Sequence, residues 1–442
     1  MLYKQDAYRV FKMVAYSGGT LKRNYYVVGL IFLTFFVISF ITNILGALNP
    51  DMIRSFQLSL TLAAFLPFAF FIAYGVMSIP AGIMVEKYKE KKIMLAAFIV
   101  AFSGALLFSL FPLYPVFLLS LFLMGTGMAM LQVTINPLLR VSGGEEHFAF
   151  NSVMAQLIFG GASFIAPMVL SCLVTGIKDP QGDNLPYAVF RDILPIGLEW
   201  VSLYWLFVIL FLLMAIMILF SIFPPVERNE DEKSGSWAVH KALFKDKTVI
   251  LFFAAVFAYV GTEQGVSYWI SKFLYTYYGY DPIVVGSSIV GWFWGMMSIG
   301  CLIGLGLLKI FDSRKILIYA VIIAAVFLTF ALFGPGNFAL IAFPMVGFSL
   351  SVMWSIIFSL ALNSVDRHHG SFSGILCTAI IGGAVIQLFI GWLGDNFGLK
   401  TGMSFIYLTL AYILSVGIWA NPIITNETIK IKKYDPLNNP EK

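Results

Sequence analysis

The chain has 442 residues, of which 60% are hydrophobic, 16% aromatic and only 12% charged. Soluble proteins carry roughly 25% charged residues, so this composition excludes a disordered chain and an ordinary water-soluble enzyme. The three cysteines, at positions 172, 301 and 377, lie in apolar stretches without CxxC spacing. They therefore indicate neither a disulfide framework nor a zinc site. The high share of hydrophobic residues predicts a protein that crosses a membrane many times.

Twelve stretches are apolar and long enough to cross a bilayer, which takes roughly 20 residues of helix. In chain order they cover residues 26–47, 58–84, 93–112, 115–139, 148–175, 198–223, 248–273, 282–308, 316–334, 337–363, 371–394 and 402–424. The predicted fold class is an all-α integral membrane protein with about 12 transmembrane helices.

One long charged stretch, 224–247, follows the sixth predicted span and divides the chain. A polar segment of this kind is typical of a domain boundary. We expect an N-terminal cytoplasmic segment (1–25), a six-helix half (26–223), a cytoplasmic linker (224–247), a second six-helix half (248–424) and a cytoplasmic tail (425–442). Residues 234–244 of the linker favour a short amphipathic helix on the membrane surface.

Basic residues predict the orientation. With both termini inside, 23 of the 28 Lys and Arg residues lie on the cytoplasmic side. The five on the outer side are Arg54, Lys178, Arg191, Lys272 and Lys400. Because positive charge favours cytoplasmic segments, we expect cytoplasmic termini and a location in the plasma (inner) membrane. The net charge of +5 then reflects topology and does not indicate a nucleic-acid partner.

An internal repeat relates the two halves. Three motifs recur in order at offsets of 220 to 223 residues: Gly75–Ile79 as Gly295–Ile299, Lys91–Ile93 as Arg314–Ile316, and Phe159–Ala162 as Ile381–Ala384. Two parallel six-span halves related by an axis along the membrane normal place a substrate between them, near the midplane. We therefore predict this architecture and a central binding site.

Glu263 is the one acidic residue, among 23, that falls deep inside a predicted span. It lies about fifteen residues into the seventh, or roughly 22 Å along the helix. No basic residue shares its depth, so the carboxyl must be protonated, bind a cation or face water. We predict that Glu263 is the ion-coupling residue, with a structural hydrogen bond as the alternative.

Amide side chains also lie within the predicted spans. The candidate substrate-binding residues are Asn43, Gln132, Asn136, Asn151, Gln156, Gln264, Asn363 and Gln387, together with Trp354. Amides donate and accept hydrogen bonds at once, which suits a neutral polyol, and an aromatic ring can stack on the apolar face of a sugar. For each amide a helix-to-helix hydrogen bond is an equal alternative, and for the aromatic residue simple packing is the alternative.

Several motifs carry a resemblance. They are Tyr74-Gly75 with Ile79-Pro80-Ala81-Gly82, Leu131–Pro137, Val260-Gly261-Thr262-Glu263, Ile357–Ala361 and Gly382-Gly383-Ala384. In these motifs the chain resembles the fucose–galactose–glucose:cation symporter family of the major facilitator superfamily, over residues 26–424, and most of all its glucose/galactose branch.

The resemblance implies the major facilitator fold and import of a hexose or related monosaccharide by alternating access. Proton coupling is the implied energy source, with sodium coupling or uniport as alternatives. The implied partners are a sugar, a proton or sodium ion and membrane lipid, with no cofactor, no metal and no nucleic acid, and we expect a monomer.

The resemblance also implies a cytoplasmic gate and shows departures from the family pattern. Gly82, Glu86, Lys87 and Lys91 resemble the superfamily's gate motif between the second and third spans. Fucose-type members carry an aspartate where Asn43 stands and a glutamate where Gln132 stands. A drug exporter is disfavoured by the amide-rich set. A membrane-embedded enzyme is disfavoured because all four histidines fall in predicted loops.

Overall fold

A computed structural model describes residues 24–143, 148–179, 185–195, 197–224, 237–365 and 368–422. In this described part, twelve helical spans are long and apolar enough to cross a membrane. They are Tyr25–Phe56, Leu60–Tyr88, Glu90–Leu110, Tyr114–Gly143, Met154–Lys178, Glu199–Phe220, Lys247–Tyr278, Pro282–Ile310, Ser313–Phe333, Gly336–Leu362, His369–Phe397 and Leu399–Trp419. The predicted all-α membrane fold is confirmed, and most predicted boundaries lie within five residues of the observed ones.

The first span differs most from the prediction, because it continues to Phe56 where the sequence analysis ended it at 47. It consists of two helices, Tyr25–Thr42 and Leu45–Phe56, with a break at Asn43. In the second helix Arg54 pairs with Asp51 at 3.0 Å. Asn49 donates to the backbone oxygen of Tyr268 at 3.0 Å.

Other helices are interrupted or lie outside the spans. The tenth span comprises Gly336–Leu350 and Met353–Leu362. The eleventh comprises His369–Thr378, the 3-10 turn Ala379–Ile381 and Gly382–Phe397. The twelfth comprises Leu399–Ser404 and Ile406–Trp419. The fifth span continues a helix that begins at Phe148, and short helices cover Leu185–Ile193 and Trp237–Leu243. The last of these lies within the linker segment for which the sequence favours a helix.

The two halves repeat one packing contact at the offset found in the sequence. A Cβ added to Gly125 would lie 2.2 Å from the backbone oxygen of Phe70, and one added to Gly347 would lie 2.2 Å from that of Phe293. The first contact joins the second and fourth spans, and the second joins the eighth and tenth. Since glycine lets helix backbones approach this closely, each half uses the same device at equivalent positions.

The repeated Gly75 and Gly295 lie where one half crosses the other. A Cβ on Gly75, in the second span, would come within 2.6 Å of Ile381 in the eleventh. A Cβ on Gly295, in the eighth span, would come within 2.8 Å of Phe164 in the fifth. The sequence repeat therefore marks two equivalent crossings between the halves.

The two membrane faces of the molecule differ. We call the face where the first span begins and the helix Trp237–Leu243 lies the linker face, and the opposite one the far face. On the far face the halves are in contact: the Cα of Gly46 packs on the backbone oxygen of Ser267, and the hydroxyl of Tyr268 donates to the backbone oxygen of Ala63 at 2.6 Å. The molecule is closed on the far face.

Candidate functional site

A cavity lies between the halves at mid-depth, with about 960 Å³ of space between its atoms, part of it open to solvent. Six of the residues predicted for the site line it: Asn43, Gln132, Gln156, Glu263, Gln264 and Trp354. Polar lining residues that the sequence analysis missed are Thr42, Tyr259, Ser298, Ser351 and Ser355. The apolar wall includes Phe35, Ile38, Phe71, Phe159, Trp294 and Met297.

The cavity extends toward the linker face. The side chains of Gln156 and Ser355 on its wall are exposed. Ser355 also lines a second recess, which reaches Asp312 and Arg314 at the start of the ninth span. Together with the closed far face, this arrangement gives the central cavity access from the linker face.

Asn43 lies at the break in the first span and takes part in a network that joins the halves. Its Nδ2 donates to the Ser163 hydroxyl at 2.7 Å, and its Oδ1 accepts from Nε2 of Gln264 at 3.2 Å. The Ser39 hydroxyl lies 2.5 Å from that of Ser163 and donates to the backbone oxygen of Phe159. Interrupted helices inside membranes free backbone and side-chain groups for a ligand. The break at Asn43 therefore fits a binding site.

Glu263 lies one residue before Gln264 and is partly buried at the cavity wall. Its Oε1 accepts a hydrogen bond from the Tyr259 hydroxyl at 2.9 Å. In the described part of the chain it has no ion-pair partner. Tyr259 is not among the site residues predicted from the sequence. Its spacing of four residues from Glu263 nevertheless puts the two side chains on one helix face.

Aromatic side chains cluster around Trp354 at the cavity wall. Trp354 stacks on Phe358 with ring centroids 5.5 Å apart, and its ring lies 6.0 Å from that of Tyr259. Trp354 is only partly buried, so part of its surface remains available to a ligand. Trp294, also on the wall, is almost fully buried.

Four predicted substrate-binding residues are not among the residues that line this cavity. Asn151 packs against the end of the fourth span, where a Cβ on Gly143 would meet its Nδ2. Asn363 lines the smaller recess and donates to the Ser359 hydroxyl at 3.4 Å. The side chain of Asn136 lies outside the described residues. Hydropathy shows which span contains an amide residue but not which face of the helix carries it. For this reason the sequence also predicts Asn151 and Asn363 as binding residues.

Gln387 is the fourth, and it lies behind the cavity wall. It is 1% exposed, and its Nε2 donates to the backbone oxygen of Gln264 at 2.9 Å. The geometry places Gln387 in contact with the seventh-span backbone rather than with the cavity.

The predicted gate residues lie at the linker face, and two of them, Lys87 and Lys91, contact residues of their own half. Gly82 is buried in the second span, and the Lys87 ammonium lies 5.2 Å from the centroid of the Tyr88 ring. Glu86 lies in the last turn of the same span. Lys91 donates to the backbone oxygens of Leu219 and Ser221, at 2.9 and 2.7 Å, where the sixth span ends.

The repeat partner of Lys91 makes the equivalent contact. Arg314, at the start of the ninth span, donates to the backbone oxygen of Ala420 at 3.4 Å, where the twelfth span ends. A basic side chain favours the negative end of a helix. Arg314 also pairs with Asp312 at 3.4 Å. Although burial opposes the shift, hydrogen bonds from Arg314 hold the pKa of Asp312 below its ordinary value.

Acidic and metal-ligating side chains do not cluster in the described ranges. No group of three or more His, Cys, Asp or Glu residues there is placed to hold a metal ion. Cys172, Cys301 and Cys377 are all free thiols, and Cys301 lines the central cavity.

Two parallel six-span halves around a polar central cavity define a secondary transporter. The sequence profile of the Major Facilitator Superfamily matches residues 31–379, and the chain belongs to this superfamily.

Relatives by sequence are sugar carriers by name. The chain is 30% identical, over 87% of its length and 92% of the relative's, to the glucose/galactose transporter of Brucella abortus. It is 24% identical to the L-fucose-proton symporter of Escherichia coli K12, over 82% of this chain and 86% of that one.

Solved structures share the fold. The transporter FucP in the outward conformation superimposes with a TM-score of 0.66 at 23% identity, covering 89% of this chain and 98% of that one. An inward-facing, occupied bacterial homologue of the human lysosomal transporter Spinster gives 0.68 at 14% identity, covering 91% and 97%. At these identities the likeness establishes the fold alone.

Proposed function

We propose that the protein imports a monosaccharide, a hexose or a related sugar, by alternating access between its two halves. The observation that carries the proposal is the central cavity, where amide side chains from both halves share the lining with the partly exposed ring of Trp354. Gln132 and Gln156 come from the first half and Gln264 from the second. Amides bind hydroxyls in either hydrogen-bonding role, and Trp354 offers a ring face for stacking. The names of the sequence relatives support the same substrate class.

The linker face is the cytoplasmic face in this proposal. The topology predicted from the sequence assigns 23 of the 28 basic residues to this face, and the positive-inside rule assigns such a face to the cytoplasm. The structure then corresponds to the state in which the cavity is accessible from the cytoplasm and the outer side is closed. Import requires the reverse state, in which the contact between Gly46 and Ser267 opens and sugar reaches the same cavity from outside.

Glu263 is the proposed coupling residue, and the proposed ion is a proton. An occluded carboxyl favours its neutral form, while a cavity filled with water lets it ionise. Because Glu263 is at the cavity wall with Tyr259 as hydrogen-bond donor, it can release a proton toward the cytoplasm in the state described here. Asn43 and Gln132, two amides at similar depth, cannot titrate.

Reconstituted protein tests the proposal. Liposomes that contain the purified protein are loaded with one unlabelled monosaccharide at a time, taken from a panel. Counterflow of labelled sugar into them identifies the substrate. Uphill accumulation under an imposed pH gradient, compared with a sodium gradient, then identifies the coupling ion. If the protein exchanges none of these sugars but transports an apolar cation, the proposal is contradicted and a drug exporter is favoured.

A further inference from the structure

A carboxylate of one half caps a helix of the other half on the far face. Asp395, near the end of the eleventh span, accepts hydrogen bonds from the backbone N–H groups of Leu60 and Thr61, both at 2.8 Å. It also accepts from the Thr61 hydroxyl at 2.5 Å. These donors belong to the first turn of the second span, in the opposite half.

The contact joins a negative charge to the positive end of a helix. The first N–H groups of a helix have no partner within it, and a carboxylate there is favoured by both hydrogen bonding and the helix dipole. Close packing accompanies the charge: a Cβ on Gly391, one turn earlier in the eleventh span, would lie 2.7 Å from the backbone oxygen of Leu60. The two helices are therefore held together at their far-face ends.

The second half of the molecule offers a comparison. The residue equivalent to Ser59, the local cap of the second span, is Asp281, 222 positions later. Asp281 caps the eighth span from within its own half, through the N–H groups of Ile283 and Val284 at 2.9 and 2.7 Å. Both carboxylates are exposed and both accept two backbone N–H bonds, but only the one at Asp395 reaches across the interface.

We propose that Asp395 is a latch residue of the transport cycle, which holds the far face closed by capping the second span of the opposite half. The inference rests on the proposed alternating access. When the far face opens, Asp395 must leave Leu60 and Thr61, because they lie on separate moving bodies. The latch therefore favours the linker-face-open state and is released in the other.

The test uses two cysteine reporters in a full-length chain whose three native cysteines are replaced by serine. Ser267→Cys reports on the far face, since Ser267 is 3% exposed beneath the contact with Gly46. Ser355→Cys reports on the linker face, where Ser355 is exposed. A membrane-impermeant thiol reagent is applied without sugar to intact cells for the first reporter and to inside-out vesicles for the second.

Asp395→Asn should raise the labelling rate at the far-face reporter and lower it at the linker-face reporter. An exposed charge at a helix end supplies a bias of about two- to fivefold. Asp281→Asn is the matched control and should leave both rates unchanged. Thr61→Val, which keeps the carboxylate and removes one donor, should act in the same direction as Asp395→Asn but less strongly.

Three results would overturn the latch: unchanged rates in Asp395→Asn, equal changes in Asp281→Asn, or a rise at both reporters, which would indicate general loosening. If Asp395→Asn does not reach the membrane, Thr61→Val decides between these outcomes. The assay contains no sugar, so its failure is distinct from failure of the proposed substrate. Reporters that move in opposite directions while no sugar is exchanged would uphold the latch and reject the sugar.

Discussion

Gln264 and Asn43 come from different halves of the molecule and share a hydrogen bond of 3.2 Å beside the central cavity. Three residues after Asn43 and Gln264 come Gly46 and Ser267, which form one of the backbone contacts that close the far face. The bond therefore links the cavity to the closure: the halves cannot separate on that side without breaking it. A ligand that replaces this bond with its own hydroxyls would weaken the closed state, which connects sugar binding to the change of access.

The first prediction tests this pair. Asn43→Ala and Gln264→Ala should each weaken sugar binding by about two- to twelvefold, since a hydrogen bond to a neutral ligand is worth roughly 0.5–1.5 kcal/mol. The double variant should cost less than the sum, because the two residues bind each other as well as the ligand. Binding of labelled sugar to purified protein is the measurement. Asn363→Ala, in the smaller recess, is the amide control and should bind normally.

Equal effects of Asn43→Ala and Asn363→Ala would contradict the position of the site. Strict additivity of Asn43→Ala and Gln264→Ala would mean that their mutual bond plays no part in binding.

The sequence predicts the architecture well and the site in part. Twelve apolar stretches and a repeat at 220 to 223 residues were enough for the spans and the two halves, since both signals depend on one-dimensional spacing. The depth of Glu263 followed from the same spacing. The orientation of a side chain around its helix did not, which is why Asn363 and Asn151 were grouped with residues that face the cavity. The break at Asn43, whose amide bonds Ser163 and Gln264, has no local signal in the sequence.

A second prediction concerns Gln387, which contacts Gln264 and not the cavity. Gln387→Met removes the hydrogen bond to the Gln264 backbone while filling a similar volume. It should raise the KM for sugar with little change in maximal rate, and by less than Gln264→Ala does. In the Gln264→Ala background the same change should have almost no further effect, because the side chain it positions is absent. A fall in maximal rate with unchanged KM would contradict a positioning role.

A third prediction concerns the linker-face charges. We expect Glu86, Lys87 and Lys91 to help hold the linker face shut in the opposite state, so Glu86→Gln should favour the state described here. Labelling of Ser355→Cys should rise, and that of Ser267→Cys should fall, the reverse of Asp395→Asn. Unchanged labelling would indicate that these charges serve only to orient the protein in the membrane.

A fourth prediction tests whether Lys91 stabilises the end of the sixth span, acts in the gate, or does both. Its ammonium binds the carbonyl oxygens at the end of the sixth span, so Lys91→Met should lower the free energy of unfolding by about 0.3–1 kcal/mol. Arg314→Met should act similarly at the end of the twelfth span. Thermal unfolding in detergent measures both. A loss of stability in Lys91→Met with normal transport would assign Lys91 to helix capping and exclude a part in the gate.

The last prediction concerns ion coupling. Among the described residues that line the cavity, Glu263 is the one carboxylate. Glu263→Gln keeps an acceptor for the Tyr259 hydroxyl while removing the charge that titrates. Uphill accumulation of sugar under a pH gradient should be lost, whereas exchange of sugar across the membrane without a gradient should continue. Tyr259→Phe, which removes the donor and keeps the carboxyl, should reduce accumulation without abolishing it. Both measurements use the same liposomes, so expression does not affect the comparison. If Glu263→Gln still concentrates sugar, the coupling ion binds elsewhere and Glu263 is a structural hydrogen-bond acceptor for Tyr259.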